Sequence, residues 1–211
     1  MNDRRRIIVG ITGATGIAYG IRVLEFLRAA DVQTHLVVSK AGHMTRGHET
    51  SLSARDLETL ADVNYAPADI GAAIASGSFR TMGMIVAPCS IRTLGEIAAC
   101  ATGSLLTRAA DVCLKERRRV VLLVRETPLH AGHLRAMLAA TEMGAVVMPP
   151  VPAFYTRPRT IQDIVDHTAA RALDLFDIEV ADTPRWSGLQ EFVVTDGSPR
   201  RRPVPDRSRG C

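Results

Sequence analysis

Cysteine is sparse in this chain, and its spacing is uninformative. Cys89, Cys100, Cys113 and Cys211 contain no CxxC pair, which argues against a disulfide framework and for a reducing compartment. No apolar run approaches the ~20 residues of a membrane-spanning helix. MNDRRR is followed by IIVGITGATG, where glycine interrupts too early for a signal-peptide core. The expectation is a cytoplasmic protein with no membrane association. Aromatic residues are also scarce, at 4%, and the arginine-rich segment SPRRRPVPDRSRG has none. Five arginines against one aspartate there account for nearly all of the net charge of +4. Such a Pro/Ser/Arg tail reads as a disordered extension rather than a nucleic-acid module. The six histidines (His35, His43, His48, His130, His133 and His167) carry no HExxH or related signature. Helix surface or core positions are expected for them, and no catalytic metal.

What is present is ordinary in amount and ordered in pattern. A chain of 211 residues with 46% hydrophobic and 23% charged residues fits one globular domain with a substantial core. Ile7 to Thr12 is a continuous β-branched run, as in a strand buried on both faces. Ile17 to Ala30 has helical spacing, with Ile17, Ile21, Leu24 and Leu27 on one side. Further strands are expected at Thr34 to Val38, Met82 to Ala87, Val120 to Val124 and Ala145 to Met148. Helices are expected at Leu129 to Met143 and Ile161 to Phe176. Ser53 with Asp56, and Thr160 with Asp163, look like helix starts. Beyond Asp177 periodicity fades, apart from Trp186 and a possible short strand at Glu191 to Thr195. The alternation predicts a single-domain α/β fold: a three-layer, doubly wound parallel sheet, flavodoxin-like or Rossmann-like. The domain is expected to span 1–187, and 188–211 to be a basic, disordered tail.

In such sheets ligands bind beyond the carboxyl ends of the strands. Those ends are Thr12 to Thr15, Ser39, Pro88 to Thr93, Arg125 with Glu126, and Pro149 to Tyr155. TGATG is a glycine-rich turn whose Gly13 and Gly16 permit an anion to approach the free amides of a helix start. It lacks the full GxGxxG. The YxxxK pair of short-chain dehydrogenases is missing too, since Tyr19, Tyr65 and Tyr155 are followed four residues later by Val23, Asp69 and Arg159. PCSIRT offers hydroxyls and amides at another helix start, where Ser90 also reads as a plain N-cap. Cys89 reads as a buried structural thiol. Arg108 and Lys115 are seven residues apart and share a helix face. Near Arg125 and Glu126 they would suit a phosphorylated substrate needing acid or base help. The plainer reading is a solvated basic helix edge. VMPPVPAFY is a proline-stiffened loop that ends in an apolar wall with one hydroxyl.

Taken together, GITGATG, THLVVSKAG, HET, SGSFRTMGMIVAPCSIRTL, LLTRAADVCLKERR, VRETPLHAGHLR, MGAVVMPPVPAFYTRP and PRW resemble the flavin prenyltransferase family. It is also known as the small-subunit family of non-oxidative aromatic-acid decarboxylases of the ubiquinone-pathway type. The resemblance runs from about residue 6 to 187. It implies a flavodoxin-like fold, a homo-oligomer (usually a dodecamer) and metal-independent transfer. The dimethylallyl group of dimethylallyl phosphate is joined to N5 and C6 of reduced FMN, phosphate leaves, and the prenylated FMN serves a partner decarboxylase. By motif, FMN would lie against Thr12, Gly13 and Ala14, with Ser39, Ser90, Ile91, Arg92, Thr93 and Arg125 completing its pocket. The prenyl phosphate would be held by Tyr155 and Arg171 with Lys115 and Arg108, the last donated by a neighbouring subunit. Glu126 would handle the proton, Glu49 matches a second active-site carboxylate, and Trp186 lies near the prenyl chain. The family's turn usually reads TGASG; here Thr15 keeps the hydroxyl and adds a methyl that restricts χ1. Two other readings remain at this point. An FMN-dependent cysteine-type decarboxylase would need PASANT-like and PxMNxxMW-like motifs, which are missing. A non-catalytic flavin-binding or assembly subunit would have no use for Lys115, Glu126, Tyr155 and Arg171.

Overall fold

The computed structural model describes residues 4–186 and 188. Six strands form one parallel sheet: β1 (Arg6–Ile11), β2 (Gln33–Val38), β3 (Val63–Tyr65), β4 (Gly83–Cys89), β5 (Arg119–Val124) and β6 (Ala145–Val147), in the order β3-β2-β1-β4-β5-β6. Without the short edge strand β3 this is the flavodoxin order; with it, the order is that of a dinucleotide-binding sheet. The chain reverses direction across the sheet between β1 and β4.

The strands read as unbroken apolar runs because both faces of the sheet are covered. Successive side chains point to opposite faces, and the two cores divide accordingly. Ile7, Val9 and Ile11 of β1, Ile85 and Ala87 of β4, and Val121 and Leu123 of β5 join one core. That core is closed by α1 (Ile17–Ala29) and α7 (Ile161–Asp174). Ile8, Met84, Val86, Val120, Leu122 and Val124 join the other. Helices α4 (Ile91–Ala98), α5 (Leu105–Lys115) and α6 (Ala131–Glu142) cover that face. Helix α7 is tied to α1 by Arg22, which forms a two-pronged contact with Asp166 at 2.7 and 2.9 Å. Both expected capping boxes form: Ser53 with Asp56 starts α3 (Ala54–Glu58), and Thr160 with Asp163 starts α7.

Three features depart from the sequence reading. Helix α2 (Lys40–Glu49) is polar, and of its residues only Gly42 is buried, so it has no apolar stripe to reveal it. Its one signal is Ser39, whose hydroxyl caps the Gly42 amide at 3.0 Å. Strand β3 is three residues long and never fully buried, too short to show a period. Strand β4 does not stop before Pro88 but continues through Cys89, with a shift of register against β5 after Val86. Proline has no amide to donate, but its carbonyl still serves the neighbouring strand end, as described below. The expected strand at Glu191 to Thr195, and the tail beyond Gly188, lie outside the described residues.

Close packing of α1 on the sheet gives a test. A Cβ at Gly20 would stand 2.3 Å from the Ala87 carbonyl oxygen, whereas at Gly47, on the exposed side of α2, it would meet nothing within 4 Å. Gly20→Ala should therefore lower the urea unfolding free energy by about 1–3 kcal/mol through overpacking. Gly47→Ala should raise it by roughly 0.5–1 kcal/mol through helix propensity. Equal signs for the two variants would contradict this packing.

Candidate active site

The ends of β1, β2, β4 and β5 are stitched into one rim at the point where the sheet reverses. The buried Thr12 hydroxyl donates to the Pro88 carbonyl at 2.8 Å and accepts from the Ser90 amide at 2.7 Å. The Ser39 amide donates to the Ile11 carbonyl at 2.9 Å, and the Arg125 amide to the Cys89 carbonyl at 3.0 Å. These bonds hold Thr12, Ser39, Ser90 and Arg125 as neighbours. Thr12 contributes to the rim as a brace, since both hydrogen-bonding roles of its hydroxyl are taken.

A cavity of about 280 Å³ opens beside this rim, lined among others by Gly13, Ser39, Lys40, Ser90, Thr93 and Ser104. Ser39, Ser90 and Ser104 are the N-caps of α2, α4 and α5. Three helix amino ends with their partial positive charges thus border one space, with Lys40 and Arg92 at its edge. Arg92 pairs with Glu96 at 2.8 Å and is well exposed. Ile91 instead packs against the core under α4. Helix amides, serine hydroxyls and a lysine are a donor set suited to a phosphate ester, so the residues present fit the anionic end of a flavin mononucleotide.

The start of α1 does not leave the Gly16 and Ile17 amides to an outside anion, as the sequence suggested, because both are occupied. The amides of Gly16 and Ile17 both donate to Glu49, each at 2.9 Å to Oε2, and the Thr15 hydroxyl bonds the same carboxylate. Helix α2 delivers this carboxylate from its last residue. Gly16 takes a left-handed φ of 101° to begin α1, a conformation that suits glycine. Gly13 is fixed by space, since a Cβ there would lie 2.3 Å from the Ala41 Cβ, and Ala14 is buried at 8% exposure. Partial burial pulls the Glu49 carboxyl upward, but the Thr15, Ile17 and Gly16 hydrogen bonds and the Arg125 charge outweigh it and hold it below the usual carboxylate range. Arg125 also faces Tyr19, whose hydroxyl is raised by burial and partly brought back by that charge. Glu126, half-buried at the next position, accepts from the Thr127 amide at 3.1 Å.

A second group forms on one face of α7. His167, Arg171 and Asp174 recur at i, i+4 and i+7 and so lie above one another. The Tyr155 hydroxyl is 3.1 Å from His167 Nε2. The Tyr155 ring meets the His167 and Trp186 rings edge-on, at 5.7 and 5.6 Å. Asp174 pairs with Arg171 and takes a two-pronged contact from Arg185 at 2.8 and 2.9 Å. Burial, then the Arg171 charge, push the His167 imidazole below its ordinary range, which favours the neutral ring. His167, Asp174 and Arg185 are the residues that sequence reasoning missed. The available signal was their helical spacing around Arg171.

The third group is on α5, and here the structure corrects the sequence reading. Arg108 pairs with Asp111 near the start of the helix, and Lys115 pairs with Glu116 at its end. Lys115 therefore lies before β5 begins, while Arg125 and Glu126 follow its last residue. Six strand residues separate the two levels by roughly 20 Å. Lys115 is not beside the Arg125–Glu126 pair of its own chain, and among the described residues Arg108, Lys115 and Arg171 pair with separate carboxylates and form no single cation cluster. Tyr155, His167 and Arg171 likewise share no hydrogen bond, ion pair or ring contact with Thr15, Glu49, Arg125 or Glu126. Cys89 is fully buried and its thiol is pushed up to about 12 by desolvation, which removes it as a nucleophile.

The Glu49 geometry has a consequence for stability. Its folded-state pKa is depressed, so its contribution is present above the ordinary carboxyl range and is lost as pH falls through the lower folded value. Glu49→Gln should cost about 0.5–1 kcal/mol at pH 7, a size limited by solvent screening at an exposed helix end. The gap between variant and parent in urea melts should close as the pH is lowered toward 3. A gap independent of pH would rule out this charge–helix interaction.

The Flavoprotein family model matches residues 1–194. A flavin prenyltransferase UbiX from Neisseria meningitidis serogroup B is 55% identical over 187 residues, covering 89% of this chain and 99% of that protein. The crystal structure of AnUbiX (PadA1) in complex with FMN and dimethylallyl pyrophosphate superposes with a TM-score of 0.87 at 50% identity, over 88% of this chain and 98% of that one. A dodecameric FMN-dependent Ubix-like decarboxylase from Escherichia coli O157:H7 superposes with a TM-score of 0.85 at 52% identity, over 87% of this chain and 100% of that one. With such identity over 89% of its length, the chain belongs to the flavin prenyltransferase family of flavoproteins.

Proposed function

We propose that the protein joins the dimethylallyl group of dimethylallyl phosphate to reduced FMN, releasing phosphate and supplying prenylated FMN to a partner decarboxylase. The observation that carries the flavin half is the cavity bordered by three serine-capped helix starts at the reversal of the sheet. The solved relative in complex with FMN and dimethylallyl pyrophosphate supports a dimethylallyl donor as the second substrate. Bound there, reduced FMN supplies the nucleophilic ring atoms that accept the allyl group. Gly13, Ala14, Ser39, Ser90, Thr93 and Arg125 would hold it, with Thr12 bracing the rim.

The chain's own groups have separable tasks. Arg171, Arg108 and Lys115 stabilise the charge that grows on the departing phosphate, and Tyr155 adds a neutral hydrogen bond. The Tyr155 and Trp186 rings favour a cation-like allyl fragment. Glu126 accepts the proton released on ring closure. Glu49 holds the Thr15 hydroxyl at the turn, an arrangement that keeps threonine serviceable where the family usually has serine. Because Lys115 lies at the far end of α5 from the rim, and the α7 face shares no hydrogen bond, ion pair or ring contact with the rim, the working site combines several copies. We infer a homo-oligomer of the dodecameric kind in which neighbours bring Arg108 and Lys115 to the rim. Among the described residues no helix is long and apolar enough to cross a membrane; action in the cytoplasm is part of the proposal. The domain is taken as 1–187, with 188–211 as an appended basic tail.

Anaerobic incubation with reduced FMN and dimethylallyl phosphate should give a product heavier than FMN by one dimethylallyl group, read by mass. Absence of that product with both the phosphate and the pyrophosphate donor would reject the reading. Lys115→Ala and Arg171→Ala should each retain FMN, seen in the visible spectrum of the purified protein, while losing transfer by about 100-fold or more. Normal turnover by either would remove that residue from the phosphate grip. Glu126→Gln should slow the rate by about 100-fold at unchanged thermal stability; an unchanged rate would remove it from proton handling.

A further inference from the structure

Tyr155 stands among the groups assigned to the prenyl phosphate, yet 40% of its surface is open to solvent. A solvent-facing phenol on a short 3₁₀ turn (Phe154–Thr156) has no intrinsic reason to keep one hydroxyl direction. The group that gives it one is buried in α7. His167 is only 8% exposed, its Nε2 is 3.1 Å from the Tyr155 oxygen, and its ring meets the phenol edge-on.

We propose that His167 is a positioning residue, which holds the Tyr155 hydroxyl on the helix face that carries Arg171 and leaves the phenol proton for a phosphate oxygen. This rests on the reading of Tyr155 as a phosphate ligand. A tyrosine hydroxyl has one proton to give and also accepts. If His167 accepted that proton, the phenol would present only lone pairs to an anion. A neutral imidazole carrying its proton on Nε2 does the opposite: it donates to the phenol oxygen and frees the phenol proton. The His167 backbone is fixed for this task from two sides. Asp166, its neighbour in sequence, is clamped to α1 by Arg22, and Arg171 one turn on is held by Asp174. The imidazole thus sits on a braced helix, whereas Tyr155 sits on a turn. Order passes from the helix to the turn through one hydrogen bond.

The chain has a single tryptophan, Trp186, with its ring 5.6 Å from that of Tyr155, so its fluorescence reports on this cluster without turnover. In the assembled full-length protein, inorganic phosphate should be titrated against Trp186 emission, and steady-state kinetics run with dimethylallyl phosphate. His167→Phe and His167→Met, two donor-free side chains of different shape, should each weaken phosphate binding and raise KM by roughly five- to tenfold, the size of one lost hydrogen bond, with kcat within about twofold. His167→Gln, whose amide can donate, should restore most of the affinity. Tyr155→Phe should have a similar effect, and combining it with either donor-free variant should add nothing further. Fully additive losses, or an unchanged KM in both donor-free variants, would overturn the role of His167 while leaving Tyr155 as a ligand. If Tyr155→Phe alone changes neither KM nor the phosphate titration, the phosphate assignment of Tyr155 falls, and the role of His167 with it.

Discussion

The hydroxyl of Thr12 is the smallest part on which the site depends. It bridges the Pro88 carbonyl and the Ser90 amide across the join between β1 and β4. At that join the sheet changes direction, and the helices that leave the two strands pass to opposite faces. One backbone rung crosses it, the Thr12 amide donating to the Pro88 carbonyl at 3.2 Å, and Pro88 itself has no amide to return. The buried Thr12 hydroxyl, donating to Pro88 and accepting from Ser90, adds a second tie beside that rung. With the join closed, the starts of α2 and α4 stand beside each other around one cavity.

The second constraint is electrostatic. Every helix that begins at this rim presents uncompensated amides, yet the helices are treated differently. The start of α1 is filled by the chain's own Glu49 carboxylate. The starts of α2, α4 and α5 carry serine caps, which satisfy one amide each and add no charge. A carboxylate already at the start of α1 repels a further anion there, whereas the three serine-capped starts carry no such charge. The Glu49 carboxylate in turn keeps the Thr15 hydroxyl and the Arg125 guanidinium in its company. The glycine-rich turn, which in other doubly wound proteins receives a phosphate, serves here as a mount for a hydroxyl–carboxylate pair.

The α7 face shows the same separation between parts that touch a ligand and parts that hold them. Asp174 lies between Arg171 and Arg185, largely shielded from solvent, and leaves one net positive charge on the trio. His167 does for the phenol what Asp174 does for the guanidinium groups. A dianionic leaving group needs more than one net charge, and the remaining cations, Arg108 and Lys115, lie on a different helix. Their distance from the α7 face within one chain is why the proposed site is shared between copies.

The layered fold was legible because burial on both faces writes itself into a strand as an unbroken apolar run. Ile7 to Thr12, Val120 to Val124 and the helical stripe from Ile17 show this directly. The rim residues were legible by rule, since ligands gather at strand ends, and the resemblance attached roles to them. Elements without an apolar signature were not legible: α2 is polar, and β3 has three residues. Nor could spacing along α5 and β5 tell that Lys115 lies at the far end of the strand from Arg125, because sequence proximity across a helix–strand connection spans the whole depth of a domain. The occupation of the α1 amides by Glu49, the bracing of Tyr155 by His167 and the pairing of Arg185 with Asp174 were decided by tertiary structure alone. Each joins residues on different elements or across a turn, where only packing brings a donor to its acceptor.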